Sequence, residues 1–244
     1  MSVPRNIVVT GAAQGLGKGI AEAFAALGDK VVVIDRDGEG ASRTAAALGG
    51  EAVSLDISDA AAVEGAVAGI VARHGRIDVL VNNAGVVGGG GTVVDLDIAL
   101  LDLTYQVNVR GTWLMSQAVG KRMIAAGKGT IVNVSSIGGR QPTPGMGHYE
   151  CTKAAVDAIT RSTAIEMASH GIRANAVAPG PVITPLTAGF AAHPEARAAW
   201  EKRIPLATIA EVEQIAPAVV FLASDAASHI TGVSLAIDGG QLLA

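Results

Sequence analysis

Short apolar runs rich in valine and isoleucine recur along the chain, at Ile7–Thr10, Val31–Asp35, Ala52–Asp56, Val79–Asn82, Thr130–Ser135, Arg173–Ala178 and Ser234–Ile237. Each is too short for a helix and lacks the alternation of a half-exposed strand, which predicts strands buried on both faces. Between them, apolar positions return at helical spacing in Gly17–Leu27, Ala60–His74, Gln106–Ala126, Tyr149–Ser169 and Glu213–Ala223. Strands alternating with helices predict an α/β fold, a doubly wound parallel sheet of about seven strands with helices on both faces. Pro217 would remove a hydrogen bond inside the last helix, so a kink or a late start is expected there. The stretch Thr184–Pro205 has no strand; Pro194–Arg203 within it predicts a short amphipathic helix, and an excursion of this length (about 184–206) predicts a lid. No Pro/Ser-rich linker, charge block or low-complexity tract divides the chain, although Gly88–Gly91 is a flexible patch, so residues 1–244 are read as one domain.

Composition sharpens this picture. Half of the 244 residues are hydrophobic, only 16% are charged and 31 are glycine, as a buried parallel sheet with closely packed backbone requires. The net charge of −4 offers no electrostatic footprint for DNA or RNA, so no nucleic-acid partner is expected. Cys151 is the only cysteine, which excludes an internal disulfide and fits a reducing cytoplasm. The apolar run before Gly11 is too short for a signal-peptide core, and no stretch approaches the ~18 apolar residues of a membrane helix, so a soluble protein is expected.

Candidate chemistry begins directly after the first strand, at Thr10-Gly11-Ala12-Ala13-Gln14-Gly15-Leu16-Gly17, which leads into an apolar helix. Glycines at this spacing allow a tight turn and close backbone approach, and the helix then presents free N–H groups to a pyrophosphate. The next strand ends in Asp35, near the distance of ~20 residues at which an acidic side chain meets the adenosine ribose. Turn, helix and acid together read as a Rossmann-type dinucleotide site. A carboxylate accepts hydrogen bonds from ribose hydroxyls and repels a 2′-phosphate, so NAD is the expected cofactor, with the adjacent Arg36 keeping dual specificity in view.

Tyr149 and Lys153 lie four residues apart at the start of a helix and therefore share a face. A neighbouring ammonium stabilises a phenolate, which suits Tyr149 to proton transfer at neutral pH. Ser135 and Ser136 end a strand, where an open α/β sheet displays its ligand site, and either hydroxyl can meet a substrate oxygen.

These motifs, with Asn82-Asn83-Ala84-Gly85, Asn108, Pro179-Gly180, Thr184 and Asp238-Gly239-Gly240, give a chain that resembles the short-chain dehydrogenase/reductase family over nearly its whole length. The resemblance implies Ser136 as the catalytic serine, thirteen residues before Tyr149, with Ser135 supporting it. It implies Tyr149 as acid/base, Lys153 lowering the tyrosine pKa and holding the nicotinamide ribose, and Asn108 anchoring a water in a proton relay. Gly11, Gln14, Gly15, Leu16 and Gly17 would hold the pyrophosphate. Asp56 and Ile57 would meet the adenine, Asn83, Ala84 and Gly85 would line the adenosine side, and Pro179, Gly180, Val182 and Thr184 would hold the carboxamide side.

The expected substrate is a small alcohol or carbonyl compound in a mostly apolar pocket that includes Val86, Val87, Gln141, Met146, His148, Pro181, Ile183 and Leu186. His148 is the histidine to watch, since it neighbours Tyr149; Cys151 is expected to be a small packed side chain. No metal is expected, because the five histidines show no ligand spacing. The alternatives are an NADPH-linked 3-oxoacyl-thioester reductase and a dinucleotide-binding sensor without turnover. The apolar faces near Thr112–Ile124 and Ala154–Met167 exceed what one sheet face needs, and the resemblance makes of them a homotetramer contact.

Overall fold

The computed structural model describes residues 4–188 and 193–244. One sheet of seven parallel strands runs through it: β1 (Asn6–Thr10), β2 (Lys30–Asp35), β3 (Glu51–Ser54), β4 (Val79–Asn82), β5 (Gly129–Val134), β6 (Ile172–Pro179) and β7 (Ser234–Ile237). Their spatial order is β3-β2-β1-β4-β5-β6-β7, all parallel. The helices are α1 (Gly15–Ala26), α2 (Gly38–Leu48), α3 (Ala60–His74), α4 (Ile98–Thr104), α5 (Thr112–Ala126), α6 (Gly147–Met167), α7 (Pro194–Glu201) and α8 (Val212–Leu222).

Two apolar layers explain why the central strands are continuous hydrophobic runs. On one face Ile7, Val9, Val31, Val33, Val81 and Val132 pack with Ile20 and Phe24 of α1 and Val219 and Leu222 of α8. On the other, Val8, Val32, Leu80 and Ile131 meet Val67 and Ile70 of α3 and Met115, Val119 and Met123 of α5. Alternate residues of one strand thus serve opposite layers, and each fully buried side chain contributes ~1.5–3 kcal/mol. The two edge strands depart from expectation: β3 is only half-buried and β7 mostly so, because each has one neighbour. A buried polar chain crosses the second layer, with Asn82 Nδ2 donating to Ser116 Oγ and Asn133 Oδ1, both at 2.9 Å, and Asn133 Nδ2 donating to Thr160 Oγ1 at 2.8 Å. It locks α6 and α5 to adjacent strands and so fixes where α6 begins.

Several expectations are corrected. The third strand spans Glu51–Ser54, so Asp56 lies beyond it rather than at its end. Helix α2 has no counterpart among the predicted elements; Asp37 starts it by accepting from Gly40 N at 2.9 Å. The helix expected from Gln106 begins earlier, as α4 capped by Asp97, and continues through a π-helical stretch, Tyr105–Gly111, into α5. Helix α8 starts at Val212, upstream of Pro217, so no late start occurs. Pro217 is exposed there, where the carbonyl it leaves unpaired can meet water. The predicted helix in the long excursion is α7, whereas residues 189–192 of that excursion lie outside the described residues. The excursion is closed at its base by a parallel bridge between Val182 and Ala210. Among the described residues no helix is long and apolar enough to cross a membrane.

Candidate active site

The chain connections diverge on either side of β1 and β4, and a crevice opens there beyond the carboxyl ends of the strands. A cleft of about 540 Å³ occupies it. Its floor is the turn between β1 and α1. Gly11 (φ +66°) and Gly15 (φ +56°) adopt left-handed backbone, and a Cβ on Gly17 would run into the Gly11 carbonyl and the Asn83 side-chain amide. Asn83 Nδ2 donates to the carbonyls of both Thr10 and Gly11 at 3.0 Å, and Thr10 Oγ1 accepts from Asn83 N and Ala84 N at 3.1 Å. The two sides of the crevice are thereby tied together, and α1 starts with glycine at two of its first three positions. Gln14, which precedes it, makes no side-chain capping bond. This cradle fits a pyrophosphate.

Asp35 closes one end of the cleft. Its Oδ2 accepts from Ala13 N and its Oδ1 from Asp37 N, each at 3.0 Å, so backbone fixes the carboxylate beside the turn. Arg36 lines the same end. Asp56 accepts from Ser58 N at 2.9 Å and Ser58 Oγ at 2.7 Å, and these bonds hold its pKa below the usual carboxylate value.

At the other end Ser136, Tyr149 and Lys153 converge. Lys153 is buried, with Nζ donating to Val134 O at 2.8 Å and lying 5.5 Å from the centre of the Tyr149 ring. Burial pushes the ammonium down to about 8, against the pull of the Asp157 carboxylate one turn on. Tyr149, half-buried, is pushed up to about 12, chiefly by burial; interaction with the Ser136 hydroxyl pulls the other way and the Glu150 charge adds to the rise. This rise is opposite in direction to the expected lowering, and Lys153 Nζ is directed at a backbone carbonyl. Ser135 plays a supporting part: its Oγ donates to Lys153 O at 3.1 Å and its N–H to Val177 O at 2.8 Å. Gly85 sits where a Cβ would lie 3.3 Å from Asn108 Oδ1 and 3.5 Å from Lys153 Nζ, so a bare backbone lets both approach.

Every residue expected to hold the cofactor lines this cleft: Gly11, Gln14, Gly15, Leu16, Gly17, Asp35, Asp56, Ile57, Asn83, Ala84, Gly85, Tyr149, Lys153, Pro179, Gly180, Val182 and Thr184. Sequence reasoning missed Ile34, Leu55, Val107, Val134, Pro185 and Thr187, apolar or small positions with no motif to mark them. Asn108 lies behind the wall instead, in the middle of the π-helical stretch and buried. Its Oδ1 accepts from Val86 N at 2.8 Å, and its Nδ2 donates to Val86 O at 2.9 Å and Thr152 Oγ1 at 3.0 Å. A side chain so engaged clamps the wall.

The expected substrate residues divide. Val86, Pro181 and Leu186 line the cleft, while Val87, Gln141, Met146, Ile183 and His148 do not. Gln141 Oε1 accepts from Gln241 Nε2 at 3.2 Å, and buried His148 bonds the carbonyl of Val87. Cys151 is exposed on α6, not packed, because it faces away from the sheet. Among the described residues no group of three or more His, Cys, Asp or Glu side chains is placed to hold a metal ion.

Comparison with known proteins agrees with this geometry. The family model described as enoyl-(acyl carrier protein) reductase matches residues 11–241. The D-threitol dehydrogenase of Mycolicibacterium smegmatis is 41% identical, covering 97% of this chain and 92% of that one. The cis-4-hydroxycyclohexanecarboxylate dehydrogenase of Sinomonas cyclohexanicum is 42% identical, over 97% and 96%. The 3-ketoacyl-(acyl-carrier-protein) reductase of Brucella melitensis, solved in complex with NADH, superposes with a TM-score of 0.91 at 36% identity, over 97% and 98%. With a glycine cradle, an acidic cleft end and a Ser-Tyr-Lys group on one parallel sheet, the chain belongs to the short-chain dehydrogenase/reductase family of nicotinamide-dependent oxidoreductases.

Proposed function

We propose that this protein interconverts a secondary alcohol and its ketone with NAD, using Tyr149 as the acid/base. The observation that carries the reading is the convergence of Ser136, Tyr149 and Lys153 at one end of a cleft whose other end is closed by Asp35. The relatives named as dehydrogenases of threitol and of a hydroxycyclohexane acid support a hydroxy compound as substrate. Bound in the cleft, the nicotinamide supplies hydride chemistry.

The residues divide the remaining work. Gly11, Gln14, Gly15, Leu16 and Gly17 hold the pyrophosphate on backbone N–H groups, and Asp35 accepts from ribose hydroxyls while disfavouring a 2′-phosphate. Asp56 and Ile57 flank the adenine, Asn83, Ala84 and Gly85 the adenosine side, and Pro179, Gly180, Val182 and Thr184 the carboxamide. Ser136 donates to the substrate oxygen. Tyr149 Oη takes or returns the carbinol proton, and Lys153, with one donor spent on Val134, offers the others to the nicotinamide ribose. Burial holds the phenol at about 12, so it is protonated at neutral pH and suited to donate to a ketone oxygen; in the oxidising direction the Lys153 ammonium is the cation placed to lower it. Val86, Pro181 and Leu186 make the substrate side apolar, which suits a modest hydrophobic alcohol. The excursion at 184–206 acts as a lid. Exposed Trp113, Ile124 and Ile165 on α5 and α6 support a homotetramer, and the lone cysteine supports a cytoplasmic setting.

A second reading, reduction of a 3-oxoacyl thioester, is favoured by the similarity to the Brucella reductase. The deciding experiment follows absorbance of the reduced cofactor with NAD and NADP against D-threitol, cis-4-hydroxycyclohexanecarboxylate and other secondary alcohols, and, in reverse, a 3-oxoacyl thioester. Turnover with NAD that falls at least ~10³-fold in Tyr149→Phe is expected. Preference for NADPH and the thioester favours the second reading, and activity indifferent to Tyr149 overturns both.

A further inference from the structure

Immediately before Tyr149 stands a histidine that the reaction as proposed does not use. His148 is 4% exposed, and its Nε2 lies 2.9 Å from the carbonyl oxygen of Val87. A carbonyl only accepts, so Nε2 carries the hydrogen and Nδ1 is left as a bare acceptor. That Nδ1 is buried without a partner. An unsatisfied buried acceptor is a standing cost that a leucine or phenylalanine would not incur, so the imidazole must be held for its one donated bond.

The bond reaches an unusual place. Val86, the preceding residue, lines the cleft and has both its N–H and its carbonyl clamped by Asn108. Asn108 is joined in turn to Thr152, whose Oγ1 donates to Tyr149 O at 2.6 Å. Two successive residues after β4, the cleft-lining Val86 and its neighbour Val87, are thus tied to the first turn of α6, one through Asn108 and Thr152 and the other through His148. Beyond Val87 the chain runs into Gly88 and Gly89, both at positive φ, and is next fastened where Gly91 N donates to Gly145 O at 3.0 Å. His148 therefore makes the last anchor before a glycine stretch that would otherwise transmit its freedom to Val86.

We infer that His148 is a positioning residue, a strut that sets the spacing between the Val86–Val87 segment, whose Val86 lines the cleft, and the helical turn carrying Tyr149. The inference rests on the proposed role of Tyr149 only for its effect on turnover; its effect on the wall stands apart. The test compares His148→Leu, which removes the donor, with His148→Gln, whose amide restores one. Amide hydrogen exchange of the cofactor-free protein in the peptide spanning Val86–Gly91 is expected to speed up ~10-fold in the leucine variant, the worth of one lost hydrogen bond, and to return toward wild type in the glutamine variant. With the best alcohol of the panel above, kcat is expected to fall ~10-fold in His148→Leu and to recover at least in part in His148→Gln, while NADH affinity measured by fluorescence stays within about twofold. Unchanged exchange in His148→Leu, or equal losses in both variants, overturns the inference. If no alcohol in the panel is turned over, the exchange comparison alone decides it.

Discussion

Lys153 is a cation kept where a cation is costly, and its behaviour with pH follows from that. Its value of about 8 in the fold lies below the ordinary 10.5, so between those limits the folded state binds fewer protons than the unfolded chain, and stability rises with pH across that window. Lys153→Met should abolish that slope and raise Tm at neutral pH, by ~2–4 °C for each kcal/mol recovered, while destroying turnover; thermal melts from pH 7 to 11 check it. Ketone reduction needs protons on both Lys153 and Tyr149, so kcat/KM in that direction should decline as pH rises through about 8, the lower of the two values. The types and spacing of Tyr149 and Lys153 could be read directly from the sequence. The direction in which the phenol shifts could not, because it depends chiefly on how deeply the fold buries Tyr149, a tertiary fact.

Among the elements, the turn into α1 gives the sharpest contrast. Gly17→Ala places a methyl against backbone within the same turn and should weaken NADH binding ~10-fold or more. Gly65→Ala, on the exposed side of α3 with open space around it, should instead stabilise by ~0.5–1 kcal/mol; fluorescence titration and urea melts of the pair test the opposite signs. Helix α3 was legible to the residue, since its apolar spacing and Asp59 cap agree. Helix α2 was not, because Gly38, Gly40, Ser42 and Thr44 dilute its pattern and only packing of Ala41 and Ala45 against the sheet makes it a helix. The π-helical stretch was equally hidden, and with it the clamp that Asn108 places on Val86. The cofactor cleft was readable because backbone geometry dictates it. The substrate side was not, because it is made by loops whose positions depend on contacts such as Gln141 with Gln241, 100 residues apart.

At the scale of the molecule, large apolar side chains remain in water on α5 and α6: Trp113 is 51% exposed and Ile165 81%. If these faces join four protomers, light scattering should give about four times the chain mass of 24.4 kDa, and Ile165→Glu should lower it. A wild-type monomer would sink that proposal. The strand directions have another consequence. Because all seven strands run the same way, the cleft and everything lining it gather beyond their carboxyl ends. The opposite rim, where Lys30 opens β2 and Lys128 precedes β5, is left with scaffolding alone. A protein coupled to a solid support or an electrode through Lys30 or Lys128 would present its mouth to the solution, whereas one coupled through Lys18, on the first turn of α1, would be held face down.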